Sequence, residues 1–532
     1  MIERLIENWL TKASEKSFQI PFCYILANEG YTILHLTRHC GMEHGKDIIA
    51  IDPAGTPCAF QLKGAPEGKI KLRQWQQELL GQAMQLVFTP VTHPSIPVGP
   101  GQHISFFVTN GELEEEVFNA IDAHNKKYQL AGQSQFFLNT IVKGELIEKA
   151  KKLGIGFIPP GLGDFRHLID FYMEDGTGIL DKTKFSHLIE SFFSQESKPT
   201  ERGKLIRGSA LLTALATSSY SNKENHVALT EAWTIYTSYL LWFCEVHNIP
   251  EKEWQNEFGI ANQIIWTSLE NLWNEAKEKD HFLVEDYMED VFVQGYRVTW
   301  FVGLFSALGL YYKLKGTNED EMYSILKFCN KQEEKLDLWG ESAVPDVLVY
   351  YWFYTAIDAT QKPIRVLLKL IRTIMYKVRK WDEIFPEPYY DIDESLALFH
   401  EKDKRVVEER NQKGVSYYLE GLTHIFVRDN YLQAMKLLWP DISRIFFKAF
   451  SYKETTDFYR WRNKEGKETT KTPNPAQSWK QLKDEAGETE GNVIPSYLKK
   501  FPYLLPLFLT VFPHRGDPSL LRWLDTYLYK NA

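Results

Sequence analysis

Cysteine is scarce in this chain. Five residues in 532, Cys23, Cys40, Cys58, Cys244 and Cys329, are scattered and odd in number. No two of them form a Cys-x-x-Cys pair, which excludes a disulfide framework and a paired-cysteine zinc motif. His39-Cys40 with His44 lacks the second cysteine pair that would complete a zinc site. Reduced thiols of this kind point to a cytoplasmic protein. An excess of positive charge is also missing. The net charge is −9, so any site for a polyanion has to be a local patch.

Long apolar runs are absent too. Val298–Tyr312 and Ala232–Cys244 fall short of the ~18 residues a membrane span needs, and Phe501–His514 is broken by prolines. No membrane role is expected. Met1–Lys12 reads as a mixed amphipathic helix rather than a charged-then-apolar leader. Several motifs fail on spacing. Gly41 to Gly45-Lys46 is one residue short of a phosphate-binding P-loop, with Asp47 where Ser or Thr is required. His35-x-x-x-His39 has no metalloprotease Glu, and no Gly-x-Ser-x-Gly occurs. No repeat of fixed period is found.

What is present is an ordinary globular composition, 44% hydrophobic and 25% charged, on a chain long enough for two to four domains. Residues 1–155 alternate helix and strand signals, an α/β layered pattern. Helices are expected over Ile2–Lys12, Phe18–Asn28, Lys71–Gln85, Glu112–His124 and Glu145–Lys152. Strands are expected over Tyr31–Leu36, His103–Thr109 and Phe136–Val142, besides a hairpin described below. The Gly/Pro-rich stretch Gly154–Gly163 is the best domain boundary. From 156 to 532 the spacing predicts helix after helix, in one domain or two subdomains. Ala434–Phe450 is among those helices, and polar Lys453–Lys483 is expected to be a long loop. Arg460-Trp461-Arg462 and Pro513-His514-Arg515 read as salt-bridging surface residues.

Chemistry concentrates between Glu43 and Lys63. Two apolar runs, Ile48–Ile51 and Cys58–Phe60, flank Asp52-Pro53-Ala54-Gly55, the residue order of a type I turn. Folding them into a hairpin brings Asp47 level with Gln61 and Lys63, which are two apart and share a face. An acid, an amide oxygen and an ammonium meeting at a hairpin's open end suit a hard divalent cation and a phosphate.

With Gly30-Tyr31, Gly45-Lys46-Asp47, Gln61-Leu62-Lys63 and Val108-Thr109-Asn110-Gly111, the first 155 residues resemble the restriction-endonuclease-like PD-(D/E)xK superfamily. The resemblance is to its Mrr-like branch, which carries Gln-x-Lys in place of Glu-x-Lys. It implies a nuclease domain over 1–155 followed by a large α-helical region over 156–532 that senses, binds substrate or mediates assembly, through a homo-oligomer or a partner protein. It implies Mg²⁺- or Mn²⁺-dependent phosphodiester hydrolysis, with DNA preferred over RNA as substrate, and bacterial antiviral defence as a setting. The matching roles are Asp47, Gln61 and the Leu62 carbonyl as metal ligands, with Lys63 as the catalytic lysine. His44, Lys69, Lys71 and Arg73 are the substrate-side candidates. The family's helix carboxylate falls at Gln19 here, so Glu7 or Glu15 would have to supply it. An RNA-cleaving nuclease, or a non-catalytic nucleic-acid-binding or scaffold protein on a degenerate nuclease fold, are the alternative readings.

Overall fold

The computed structural model describes the chain apart from residues 1–6, 8–9, 12, 37–45, 66–67, 92–95, 97–102, 153–161, 195–197, 280–282, 284–290, 359–362, 381–383, 402–405, 408–410, 412 and 532. It comprises an N-terminal mixed sheet with helices, followed by a mainly helical remainder. Contacts divide the chain into two compact units, 1–271 and 272–532.

In the first unit, Ser14 stands just outside helix α1 (Glu15–Asn28), and its hydroxyl accepts from Ser17 N. This cap starts the helix three residues earlier than the apolar pattern suggests. Gly30, at φ +89°, lets the chain turn into β1 (Thr32–Leu36). The hairpin follows the turn chemistry. β2 (Ile48–Ile51) and β3 (Pro57–Lys63) pair antiparallel, Ile48 opposite Phe60. Asp52 Oδ1 accepts from Ala54 N and Thr56 N, and Gly55 N donates to Asp52 O at 2.9 Å.

β4 (Lys69–Ile70) leads into a helical run that opens at Leu72–Gln74, widens to a π turn over Trp75–Leu79 and continues as α2 (Leu80–Phe88). β5 (Ile104–Thr109) then lies parallel to β3, and β7 (Leu138–Ile141) parallel to β5. The five-stranded order is β1-β2-β3-β5-β7. Glu112–Leu113 does not begin a helix as expected. It forms β6, parallel to β4, and α3 (Glu115–Leu130) starts only after Glu114, which accepts from Leu72 N. Pairing with a segment forty residues away outweighs the helix preference of the acidic run. Helix α4 (Lys143–Lys152) ends the α/β layer.

Both faces of the sheet are covered, so its central strands are buried rather than alternating. On one face Phe60 lies between Phe106, stacked at 4.8 Å, and Phe22 of α1, edge-on at 5.6 Å. On the other, Trp75, Leu79, Ala83 and Leu86 pack on Ala59, Phe107 and Leu138. The unit continues past the Gly/Pro stretch, which lies largely outside the described residues. Tyr24 of α1 stacks on Trp233 of the helix His226–Val246 at 5.7 Å.

Glu257 is buried in this helical layer, 4% exposed. Burial pushes its carboxyl from the usual 4.5 up to about 7, although Arg207 pulls the other way. The folded form therefore binds more protons than the unfolded form between those values. Stability should fall as pH rises through that window, by about 3 kcal/mol in all. Thermal melts from pH 4.5 to 7.5 check this, and Glu257→Gln should remove most of the slope.

In the second unit the helix Val291–Lys315 packs along Val344–Ile357. A Cβ at Gly303 would lie 2.1 Å from Asp346 Oδ1, and one at Gly309 2.3 Å from the Phe353 ring. Glycine is what permits that approach. Two expectations fail here. The helix over Ala434–Phe450 stops at Ile442, and Phe446–Tyr452 forms strand β9. The expected loop contains strand β10 (Gly466–Lys471) and the helix Trp479–Glu485. β9 pairs with β10 antiparallel and with β8 (Val415–Ser416) in parallel. Apolar spacing over Ile442–Phe450 fits either period, and β10 is exposed throughout, so it carries no apolar signal.

The two Arg motifs differ: Arg460 and Arg462 are half-buried and form the expected ion pairs, with Asp457 and with Asp391 and Glu394, whereas His514 and Arg515 are buried. Arg515, 1% exposed, donates to Tyr452 Oη at 2.7 Å and to Asp457 O at 3.3 Å. Arg462 N donates to His514 Nε2 at 3.0 Å while its guanidinium pairs with Glu394. A buried guanidinium needs such partners, and β9 brings Arg515 its Tyr452. Among the described residues, no helix is long and apolar enough to cross a membrane.

Candidate active site

The hairpin register decides the geometry. The paired ladder ends with Ile48 opposite Phe60, and Asp47 is the residue just before it. Asp47 N donates to Phe60 O at 2.8 Å, and Asp47 Oδ2 accepts from Leu62 N at 2.6 Å. The carboxylate is thus tied to the strand that carries Gln61 and Lys63. A strand residue sends its N–H and C=O to the same side, so the Leu62 carbonyl faces the same edge as Asp47.

Gln61 is 2% exposed. Its Nε2 donates to Gln82 Oε1 of α2 at 3.0 Å, which orients the amide, while its Oε1 is buried without a hydrogen-bond partner. An acceptor held in this state costs about 1–3 kcal/mol. Lys63 Nζ lies 3.1 and 3.3 Å from the two carboxylate oxygens of Glu15. Both side chains are part-buried, so the pair is only partly screened.

Gln19 stands at the helix carboxylate position, with Glu7 and Glu15 as its two candidate substitutes. Glu15 reaches Lys63. Gln19 instead donates through Nε2 to Asp47 O at 3.1 Å, and Glu7 pairs with Lys143 at 3.6 Å. The start of α1 is itself anchored by a neighbouring helical segment of the same unit. Ser14 Oγ donates to Asn222 Oδ1, and Lys16 pairs with Glu224. Lys46, 4% exposed, has its ammonium pulled down to about 8 by burial.

The other sequence candidates separate. Lys69, Lys71 and Arg73 are all exposed, along β4 and the start of the next helical run. Arg73 Nε donates to Gln77 Oε1 at 3.3 Å. His44 lies outside the described residues. His103 is buried, its Nε2 2.8 Å from Leu86 O, so it belongs to the packing of α2 on β5. Two further residues support the site: Gln82 carries no signal in the sequence, whereas Asn110 lies in the Val108–Gly111 stretch that carries the resemblance. Gln82 orients Gln61 from α2. Asn110, 2% exposed, accepts from Ala65 N and donates to the Leu10 and Ala13 carbonyls.

The candidate donors of this region are all oxygens: the Asp47 carboxylate, the unpartnered Gln61 amide oxygen, the Leu62 carbonyl and the Glu15 carboxylate that pairs with Lys63. That set suits Mg²⁺ or Mn²⁺ and is poor for softer ions. Compared with known proteins, the chain matches no family model, and no curated protein or solved structure matches it.

Proposed function

We propose that this protein is a metal-dependent nuclease. On this reading its first 155 residues form a restriction-endonuclease-like domain of the Mrr-like branch, and the helical remainder governs recognition, triggering or assembly. The observation that carries the reading is the buried, unpartnered Gln61 Oε1, between two residues, Phe60 and Leu62, whose backbone bonds Asp47, and two residues from an ammonium. A bound cation is the simplest partner for that oxygen.

Asp47, Gln61 and the Leu62 carbonyl would hold the ion, with Gln82 fixing the amide so that oxygen rather than nitrogen faces it. Bound Mg²⁺ or Mn²⁺ lowers the pKa of water and offsets charge on a phosphate. Lys63 supplies a fixed positive charge and a proton donor beside the scissile phosphate, steadied by Glu15. Lys69, Lys71 and Arg73 offer three exposed charges for the nucleic-acid backbone, a local basic run on an acidic chain. DNA is the first-choice substrate and RNA the second.

The test is incubation of the full chain with supercoiled plasmid and with structured RNA, in Mg²⁺, in Mn²⁺ and in EDTA. Nicked or linear plasmid is expected with either ion and none in EDTA. Cleavage that persists in EDTA, or intact nucleic acid under every ion condition, counts against the proposal.

A further inference from the structure

The second unit carries a cluster that the proposed nuclease chemistry does not use. The helix Leu419–Arg428 holds Glu420 and His424 four residues apart, hence on one face. Glu485 closes the helix Trp479–Glu485. One oxygen from each glutamate and one ring nitrogen of His424 all lie within 4.8 Å of one another. A cation already sits there. Lys471 Nζ, at the end of β10, is 2.9 Å from Glu420 Oε1 and 2.9 Å from Glu485 Oε2.

The ammonium serves the two carboxylates but not the imidazole. His424 is 5% exposed, and its Nδ1 is buried with no hydrogen-bond partner. Burial, reinforced by Arg522, Lys471 and Arg428, holds its pKa down at about 3.

We propose that Glu420, His424 and Glu485 form a site for a divalent cation of the zinc class, which takes the place held by the Lys471 ammonium. One imidazole and two carboxylates leave a fourth position for water, a donor set zinc accepts. Mg²⁺, which prefers oxygen alone, is a poor fit. The surrounding charges are mixed. Arg522 donates to the Glu485 carbonyl, and Arg428 pairs with Asp525 at 3.4 Å. Zinc therefore competes chiefly with Lys471, and its binding frees that side chain from both glutamates.

The experiment is zinc titration against a chromophoric chelator, using the full chain with Asp47→Asn so that the proposed nuclease site does not contribute. One zinc per chain is expected. Lys471→Met should bind at least tenfold more tightly, because the competing ammonium is gone. Glu485→Gln and His424→Asn should each bind at least tenfold more weakly, and excess Mg²⁺ should not compete. The Glu485 side chain keeps 39% of its surface exposed, so its variant keeps the fold, which circular dichroism verifies even if the buried His424 variant unfolds. Equal zinc affinity in the parent, Lys471→Met and Glu485→Gln, or no zinc bound by Lys471→Met, overturns the proposal.

Discussion

Lys63→Ala should lower plasmid cleavage by about 10³-fold, or about 4 kcal/mol of transition-state stabilisation. The same change should leave thermal stability within about 1 kcal/mol of the parent. The two expectations come from one geometry. Lys63 stands at the end of β3 with its ammonium 3.1 Å from Glu15, and both side chains retain some exposure. Losing the pair leaves Glu15 able to reach water, so the folded state suffers little. The loss at a phosphate is much larger, because no other lysine or arginine of the hairpin stands beside Asp47 and Gln61 except the buried Lys46. Glu15→Gln should reduce the rate less, since it removes only the group that steadies the ammonium. Single-turnover cleavage, with melting temperatures measured in parallel, separates these outcomes. Equal rates for Lys63→Ala and parent would remove the lysine from the chemistry.

Asn110→Ala should cost about 3–5 kcal/mol of stability and lower the melting temperature by roughly 10 °C. The Asn110 side chain makes three hydrogen bonds in a buried position. It accepts from Ala65 N at 2.9 Å and donates to the Leu10 and Ala13 carbonyls at 2.7 Å each. Truncation strands the Ala65 N–H and the Ala13 C=O away from water and leaves the Leu10 C=O only Ala13 N at 3.3 Å, which is the expensive way to lose hydrogen bonds. Asn110→Asp should be no better, since a carboxylate cannot donate to either carbonyl. Leu10 and Ala13 immediately precede Ser14, the cap of α1, and Glu15. The variant should therefore also loosen the Glu15–Lys63 pair and slow cleavage at temperatures where it is still folded. Calorimetry of Asn110→Ala beside the parent checks the first effect. Loss below about 1 kcal/mol would mean that water or a shifted backbone replaces the amide.

Parts of this architecture are legible from neighbouring residues alone. Asp52-Pro53-Ala54-Gly55 dictates a tight reversal, and the reversal brings Asp47 to the strand that carries Gln61 without help from the rest of the chain. Tyr31–Leu36 and His103–Thr109 read as strands because β-branched and aromatic residues crowd there, and the observed strands differ by one residue. Elsewhere the local signal misleads. Glu112–Leu113 looks like the first turn of a helix and is a strand. Phe446–Tyr452 looks like the tail of a helix and is the centre of a three-stranded sheet. Its partner Gly466–Lys471 has no apolar residue to betray it. In each case the deciding hydrogen bonds come from chain far off in sequence.

Composition and short-range pattern were enough to establish an α/β layer before a helical remainder, and to mark Asp47, Gln61 and Lys63 as chemically notable. They work because turn preference and residue period are local energies, expressed within a few residues. Three matters depended on assembly of the whole unit: that Glu15 rather than Gln19 or Glu7 meets Lys63, that Gln82 turns the Gln61 amide, and that Glu420 and Glu485 meet on one ammonium beside His424. Each is a polar group removed from water, and such a group takes whatever partner packing delivers. Which residue arrives, from dozens of positions away, follows from how helices cross the sheet and one another.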